Sequence, residues 1–140
     1  MSGMPSTIHI IPARDFVVST AEGEFDLEKT RAFLKQTLES AHLHDQSHIM
    51  LDVRESQGSL RAFEVFELVS VLEELTPPFA GKLVVLNHPR DAFNRAEFFS
   101  KCARYRGFRV EAFQDFEKAV RWLYPPEPAT SPTDGQSPPA

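Results

Sequence analysis

From Thr7 to Leu123, short apolar runs alternate with longer segments whose apolar residues recur at three- and four-residue steps. Strand periodicity followed repeatedly by helix periodicity is satisfied by few architectures, and it argues for an α/β domain with a mostly parallel sheet. Ile8, Ile10 and Ile11 mark a first extended segment, and Phe16, Val17 and Val18 mark a second. Their closeness suits an antiparallel pair joined through Pro12 to Asp15, with Gly23 expected at the turn beyond. Leu27, Thr30, Leu34, Leu38 and Ala41 then form one helical face behind an Asp26 N-cap. The run HIMLDV, His48 to Val53, has the shape of a buried strand, although length alone does not separate strand from helix.

The polar stretch RESQGS leads into LRAFEVFELVSVLEEL. Here Leu60, Phe63, Val71 and Leu75 face one way, and Phe66, Leu68, Val69 and Leu72 widen the apolar side. Such a helix is either deeply packed or presents a second apolar face to a partner. Thr76-Pro77-Pro78 stops it. KLVVLN, Lys82 to Asn87, is the clearest strand. A helix carrying Ala92, Phe93, Ala96, Phe99 and Ala103 follows, closed by Gly107. RVEAF reads as the final strand. Asp115 is placed to cap a last helix whose core face is Phe116, Ala119, Val120 and Leu123. The predicted order is β-β-α-β-α-β-α-β-α.

Of the 140 residues, 41% are hydrophobic and 25% charged, which supports one packed domain. The domain is expected over residues 7–124. Residues 125–140, PPEPATSPTDGQSPPA, hold no large apolar side chain and are expected to form a disordered Pro/Ser-rich tail. No apolar run is long enough for a transmembrane helix, and the opening residues do not resemble a secretory signal. With one cysteine, Cys102, no internal disulfide can form, and a reducing cytoplasm is the expected compartment. Fifteen basic residues against twenty acidic ones give a net charge of −5, which argues against a nucleic-acid partner.

The chemical motifs are few. His42, His44 and His48 cluster beside Asp45, but without helix-face ligand spacing they read as a solvated helix end rather than a metal centre. His9 and His88 have no partner visible in sequence. Cys102 reads as a buried small hydrophobe. No GxGxxG, Walker or GxSxG pattern occurs, so no cofactor is implied and no enzyme is expected. The loop ESQGSL is different. It brings Ser56 and Ser59 to the start of a helix, where free N–H groups favour an anion or a phosphoryl group. Either serine is a candidate phosphate acceptor, and the plain alternative is that one of them caps the helix.

The segments LDVRESQGSL, GKLVVLN, RGFRVEAF and QDFEKAVRWL resemble the SpoIIAA-like branch of the STAS superfamily. The closing Phe113, Ala119, Trp122 and Leu123, and the Gly23 of EGEFD, are similar to that family's pattern. The likeness spans roughly residues 7 to 123. It implies a four- to five-stranded mixed sheet, mostly parallel, with four helices packed mainly on one side, and it implies a non-catalytic regulator. In the anti-sigma antagonists of this family, a serine at the start of the helix after the third strand is phosphorylated by a partner kinase. Ser56 or Ser59 is nearest that place, behind the acidic strand end Asp52, although the Asp-Ser-Ser-Gly-Leu type signature is not present. Ser56, Ser59 and Asp52 are therefore the candidate phosphorylation and partner-contact residues, for a protein partner that is a regulator or kinase. The branch also resembles CRAL-TRIO lipid-binding domains in fold. That makes an apolar ligand the alternative, with Phe63, Phe66, Phe93 and Phe99 as candidate lining. Phe98 and Trp122, if exposed, would suit a partner surface or a homodimer.

Overall fold

The computed structural model describes residues 7–12, 16–43, 48–58, 60–74, 78–90 and 94–124. The expected tail, Ser59, Phe93, His44 and Asp45 lie outside the described residues. Nine elements follow in order: β1 (Thr7–Pro12), β2 (Val17–Glu24), α1 (Leu27–Leu43), β3 (His48–Gln57), α2 (Ala62–Glu73), β4 (Lys82–Leu86), α3 (Arg95–Tyr105), β5 (Arg109–Phe113) and α4 (Phe116–Leu123). The alternation expected from periodicity is the one observed.

The five strands form one mixed sheet in the order β1-β2-β3-β4-β5. β1 and β2 are antiparallel, with Ile8 opposite Ala21 and Ile10 opposite Ser19. Every later pair is parallel. Each crossover therefore steps in the same direction across the sheet. Right-handed crossovers of one direction must leave all their helices on one face. So α1, α2 and α3 share a face, while α4, following the edge strand β5, returns over the other face against β4 and β5.

This asymmetry explains the strand sequences. On the three-helix face, Val17, Ile49, Leu51, Leu83, Val85 and Val110 pack against side chains such as Phe33, Leu38, Leu68, Leu72, Phe99 and Ala103. On the other face, Met50, Val84 and Leu86 pack against Ala119 and Leu123. β3 and β4 are thus buried on both faces, and their apolar runs are unbroken. On β2, burial alternates residue by residue from Val17 to Glu24, and Val18 packs at the margin of the α4 cluster. The buried hydroxyls of this region are paired: Thr37 Oγ1 lies 2.6 Å from Ser19 Oγ and 2.8 Å from the Phe33 carbonyl oxygen.

The helix ends follow local chemistry. Asp26 Oδ1 accepts from the Lys29 amide at 2.8 Å, so the expected N-cap is present. Asp26→Ala should cost about 1 kcal/mol in urea unfolding, and an unchanged midpoint would remove the cap from the account. α2 starts at Ala62 behind Arg61, whose amide donates to Glu64 Oε1 at 2.8 Å. Asn94 adopts the left-handed conformation (φ 54) ahead of α3, and its Oδ1 accepts from the Glu97 amide. Gly107 (φ 95) ends α3, with the Gly107 amide donating to Arg104 and the Phe108 amide donating to Ala103. These two bonds are the Schellman pattern that Gly107 foretold.

Three expectations are corrected. Gly23 is not at a turn, because β2 runs on to Glu24 with Gly23 paired to Ser56. Phe116, expected on the core face of α4, is 45% exposed, and the small helix buries only Ala119 and Leu123. Phe63 and Phe66, expected on the apolar side of α2, are 56% and 47% exposed. The buried stripe of α2 is Val65, Leu68, Val69, Val71 and Leu72, which is set by the direction of the sheet and of α1 and α3 rather than by residue size.

Candidate functional site

Of the predicted site residues, Asp52 and Ser56 lie on the C-terminal part of β3, beside the end of β2. β3 continues well past the apolar run: Glu55, Ser56 and Gln57 pair with Glu22, Gly23 and Glu24 of β2. Between Thr20–Asp52 and Glu22–Glu55 the partners advance two residues on β2 but three on β3. The extra residue makes a bulge at Val53–Arg54, which bends the strand end. Asp52 holds this bulge. Its carboxylate accepts from the Arg54 amide at 3.1 Å, from Nε at 2.9 Å and from Nη2 at 2.8 Å. The hydrogen bond it donates to Asp52 raises the Arg54 guanidinium above its ordinary pKa, and the charges of Asp52, Glu55 and Asp115 add to this against the cost of burial. Asp52 is therefore committed to its own strand, with its side chain 18% exposed.

Ser56 lies on β3 and not at the start of α2. Its hydroxyl donates to the Val53 carbonyl at 2.9 Å, and the residue is half-buried. The strand runs on through this polar stretch because backbone ladders form regardless of side-chain polarity. The loop beyond it is pinned to the loop before α1: the Phe25 amide donates to the Gln57 carbonyl at 2.7 Å. A Cβ on Gly58 would overlap the Phe25 carbonyl oxygen, so only glycine fits this crossing.

Between these loops and the first turns of α1, α2 and α3 lies a cavity of about 800 Å³. Phe33, Leu34, Leu51, Leu68 and Phe99 form its apolar part, and Arg54, Ser56, Asn87, Arg90 and Arg95 stand among the polar groups lining it. Of the four predicted phenylalanines, the structure brings Phe99 to this cavity. Phe63 and Phe66 stand on the exposed side of α2, where the Arg106 guanidinium sits 4.8 Å over the Phe66 ring and binds Glu73 at 3.1 Å. The arginines were not legible as a set in sequence, because Arg54 lies far along the chain from Arg90 and Arg95 and meets them only through strand order.

The remaining polar candidates have structural duties. His48 Nδ1 accepts from the Lys82 amide at 3.3 Å, and its ring meets Tyr124 edge-on. His88 Nδ1 accepts from the Arg90 amide at 2.9 Å. His42 is exposed on the last turn of α1. Cys102 is half-buried against the three-helix core. Trp122 is half-buried, covered by Lys82 Nζ at 5.2 Å and by Phe113, and Phe98 is half-buried too. Among the described residues no group of three His, Cys, Asp or Glu side chains could hold a metal ion, and no helix is long and apolar enough to cross a membrane.

An uncharacterized protein of the DUF3478 family from Shewanella loihica PV-4, with a SpoIIAA-like fold, superposes with a TM-score of 0.56, covering 88% of this chain and 98% of that one at 18% identity. The fold is SpoIIAA-like. An anti-sigma factor antagonist from Mycobacterium paratuberculosis also matches at a TM-score of 0.56, covering 85% of this chain and 94% of that one at 14% identity. No family model and no curated protein matches the sequence. The SpoIIAA-like assignment accounts for the singly wound sheet, the three helices on one face and the lone closing helix on the other. Within this SpoIIAA-like frame, the bulged end of β3 is the place where backbone, charge and cavity meet.

Proposed function

We propose that the chain is a non-catalytic regulatory module that binds a protein partner through the end of β3 and the exposed side of α2. The observation that carries this reading is the pair Phe63 and Phe66, 56% and 47% exposed and three residues apart on one helix. Rings at that spacing share a side of the helix, and exposed aromatic anchors are what protein interfaces bury. The fold shared with an anti-sigma factor antagonist supports the same class of role. Ser56, Ser70 and Ser100 donate their hydroxyls to backbone carbonyls, which supports a binding role over a catalytic one. Phosphorylation of Ser56 or Ser59 would regulate such a surface by adding charge where a neutral hydroxyl stood.

Phe63→Asp/Phe66→Asp should leave the fold intact, because both rings are already largely in solvent. It should also weaken partner binding at least about tenfold, as loss of an aromatic anchor does. Crosslinking and affinity capture from native lysate, wild type against variant, reads this out. Identical partner sets would overturn the surface, and identical sets for wild type and Ser59→Asp would remove the switch.

A second reading is supported by the cavity. Its volume of about 800 Å³ and its aromatic and aliphatic lining suit a small apolar ligand, with Phe99 contributing to it as predicted. Native mass spectrometry after gentle purification should then show a bound mass. A clean apo mass after purification and after incubation with hydrophobic extract would overturn this reading.

A further inference from the structure

We infer that the cavity at the strand ends takes an anionic amphiphile, a single apolar chain ending in a carboxylate or phosphate head. This rests on the second reading above and sharpens it from an apolar ligand to a charged one. The apolar lining of the cavity comes from buried side chains, among them Phe33, Leu51, Leu68 and Phe99. Its polar lining includes Arg54, Arg90 and Arg95 against the single carboxylate of Glu55. These arginines are not equivalent. Arg54 is matched by Asp52 at 2.8 Å, so it adds little net charge. Arg95 is held in place by donating from Nε to the Leu60 carbonyl at 2.7 Å, which bridges α3 to the segment before α2. Among the described residues Arg90 makes no side-chain hydrogen bond or ion pair, and it is the cation available to a ligand.

The helix N-termini do not carry the inference. Asp26, Glu64 and Asn94 already occupy the starts of α1, α2 and α3, and two of those groups are carboxylates. Asn87 is the more telling group. It is 4% exposed at the end of β4 and lines the cavity. Its Nδ2 donates to Asn94 Oδ1 at 2.8 Å, and its Oδ1 accepts no hydrogen bond among the described residues. A buried carbonyl left without a donor is unfavourable. Here a head-group hydroxyl, a protonated phosphate oxygen or a water beneath the head would satisfy it, and a purely hydrocarbon occupant would not. An apolar wall and an uncommitted guanidinium in one cavity therefore describe an occupant with a tail and a negatively charged head, and Asn87 Oδ1 requires a donor, a protonated head-group oxygen or a water, beside that head.

The test uses the full chain and calorimetric titration below the micelle concentration of each probe. Dodecyl phosphate and dodecanoate should bind, at least one of them about tenfold more tightly than dodecanol, as expected for a charge-assisted contact. The stronger of the two identifies the head. Arg90→Glu, at an exposed position, should weaken the preferred anion about tenfold and leave dodecanol unchanged. Ala96→Leu, which fills the cavity, should abolish binding with an unaltered circular dichroism spectrum. Should that variant not fold, Arg90→Glu decides alone. Dodecanol binding as tightly as both anions, or Arg90→Glu binding like wild type, overturns the proposal and leaves the apolar-ligand reading standing. Inorganic phosphate binding as tightly as dodecyl phosphate overturns it as well, because no tail is then needed. Failure of all three chain probes overturns both readings.

Discussion

Leu123→Ala should lower the unfolding free energy by about 3 kcal/mol, toward the middle of the range for leucine truncations in well-packed cores. The residue is 1% exposed and closes a small core of Met50, Val84, Leu86 and Ala119, each 0% exposed. α4 has eight residues, too few to be helical alone, so its structure depends on docking. It buries two side chains fully, and Leu123 is the larger. Truncation therefore removes most of what holds the helix and loosens the cover over Met50, Val84 and Leu86. The contact from Lys82 Nζ to the Trp122 carbonyl at 3.0 Å is half-exposed and cannot replace that burial. Urea unfolding followed by circular dichroism measures the loss. A loss below about 1 kcal/mol would mean that α4 is an accessory and not the second layer of the core.

Gly58→Ala should destabilise the protein by about 2 kcal/mol, the scale of forced overpacking. The sign is not obvious in advance. Gly→Ala at a permissive site stabilises by roughly 0.4–1 kcal/mol, because the unfolded chain loses freedom. At Gly58 the new methyl meets the Phe25 carbonyl, which is backbone and already fixed by the bond from the Phe25 amide to Gln57. The neighbour cannot swing away, so the clash outweighs the entropic gain. Gly107→Ala is the control. Nothing lies within 4 Å of its Cβ position, and its cost is the left-handed backbone alone, about 1 kcal/mol. The two variants should also differ in place. Gly58→Ala should speed amide exchange at Phe25, whereas Gly107→Ala should act on the end of α3. Equal stability of Gly58→Ala and wild type would show that the two loops separate at little cost, and the cavity mouth they form would then be loose.

Much of the fold was readable residue by residue. The unbroken runs at Ile49–Leu51 and Leu83–Leu86 mark strands covered on both faces. Asp26 and Gly107 mark helix ends through chemistry that acts within one turn. The site was less readable. RESQGS looks like a loop ahead of a helix, yet Ser56 belongs to a strand whose ladder needs only backbone groups. Phe63 looked like a core residue because its helix is apolar nearly all round, and periodicity does not say which of two apolar sides meets the sheet.

Local pattern by itself determined the order of strands and helices, the antiparallel first pair, the start of α1 and the end of α3, since each depends on neighbours a few residues away. Only the tertiary structure decided which helices share a face, that two phenylalanines of α2 turn outward, and that the distant Arg54 joins Asn87, Arg90 and Arg95 around one cavity. Those outcomes follow from the hand of the crossovers and the order of the strands, which bring together residues separated by dozens of positions along the chain.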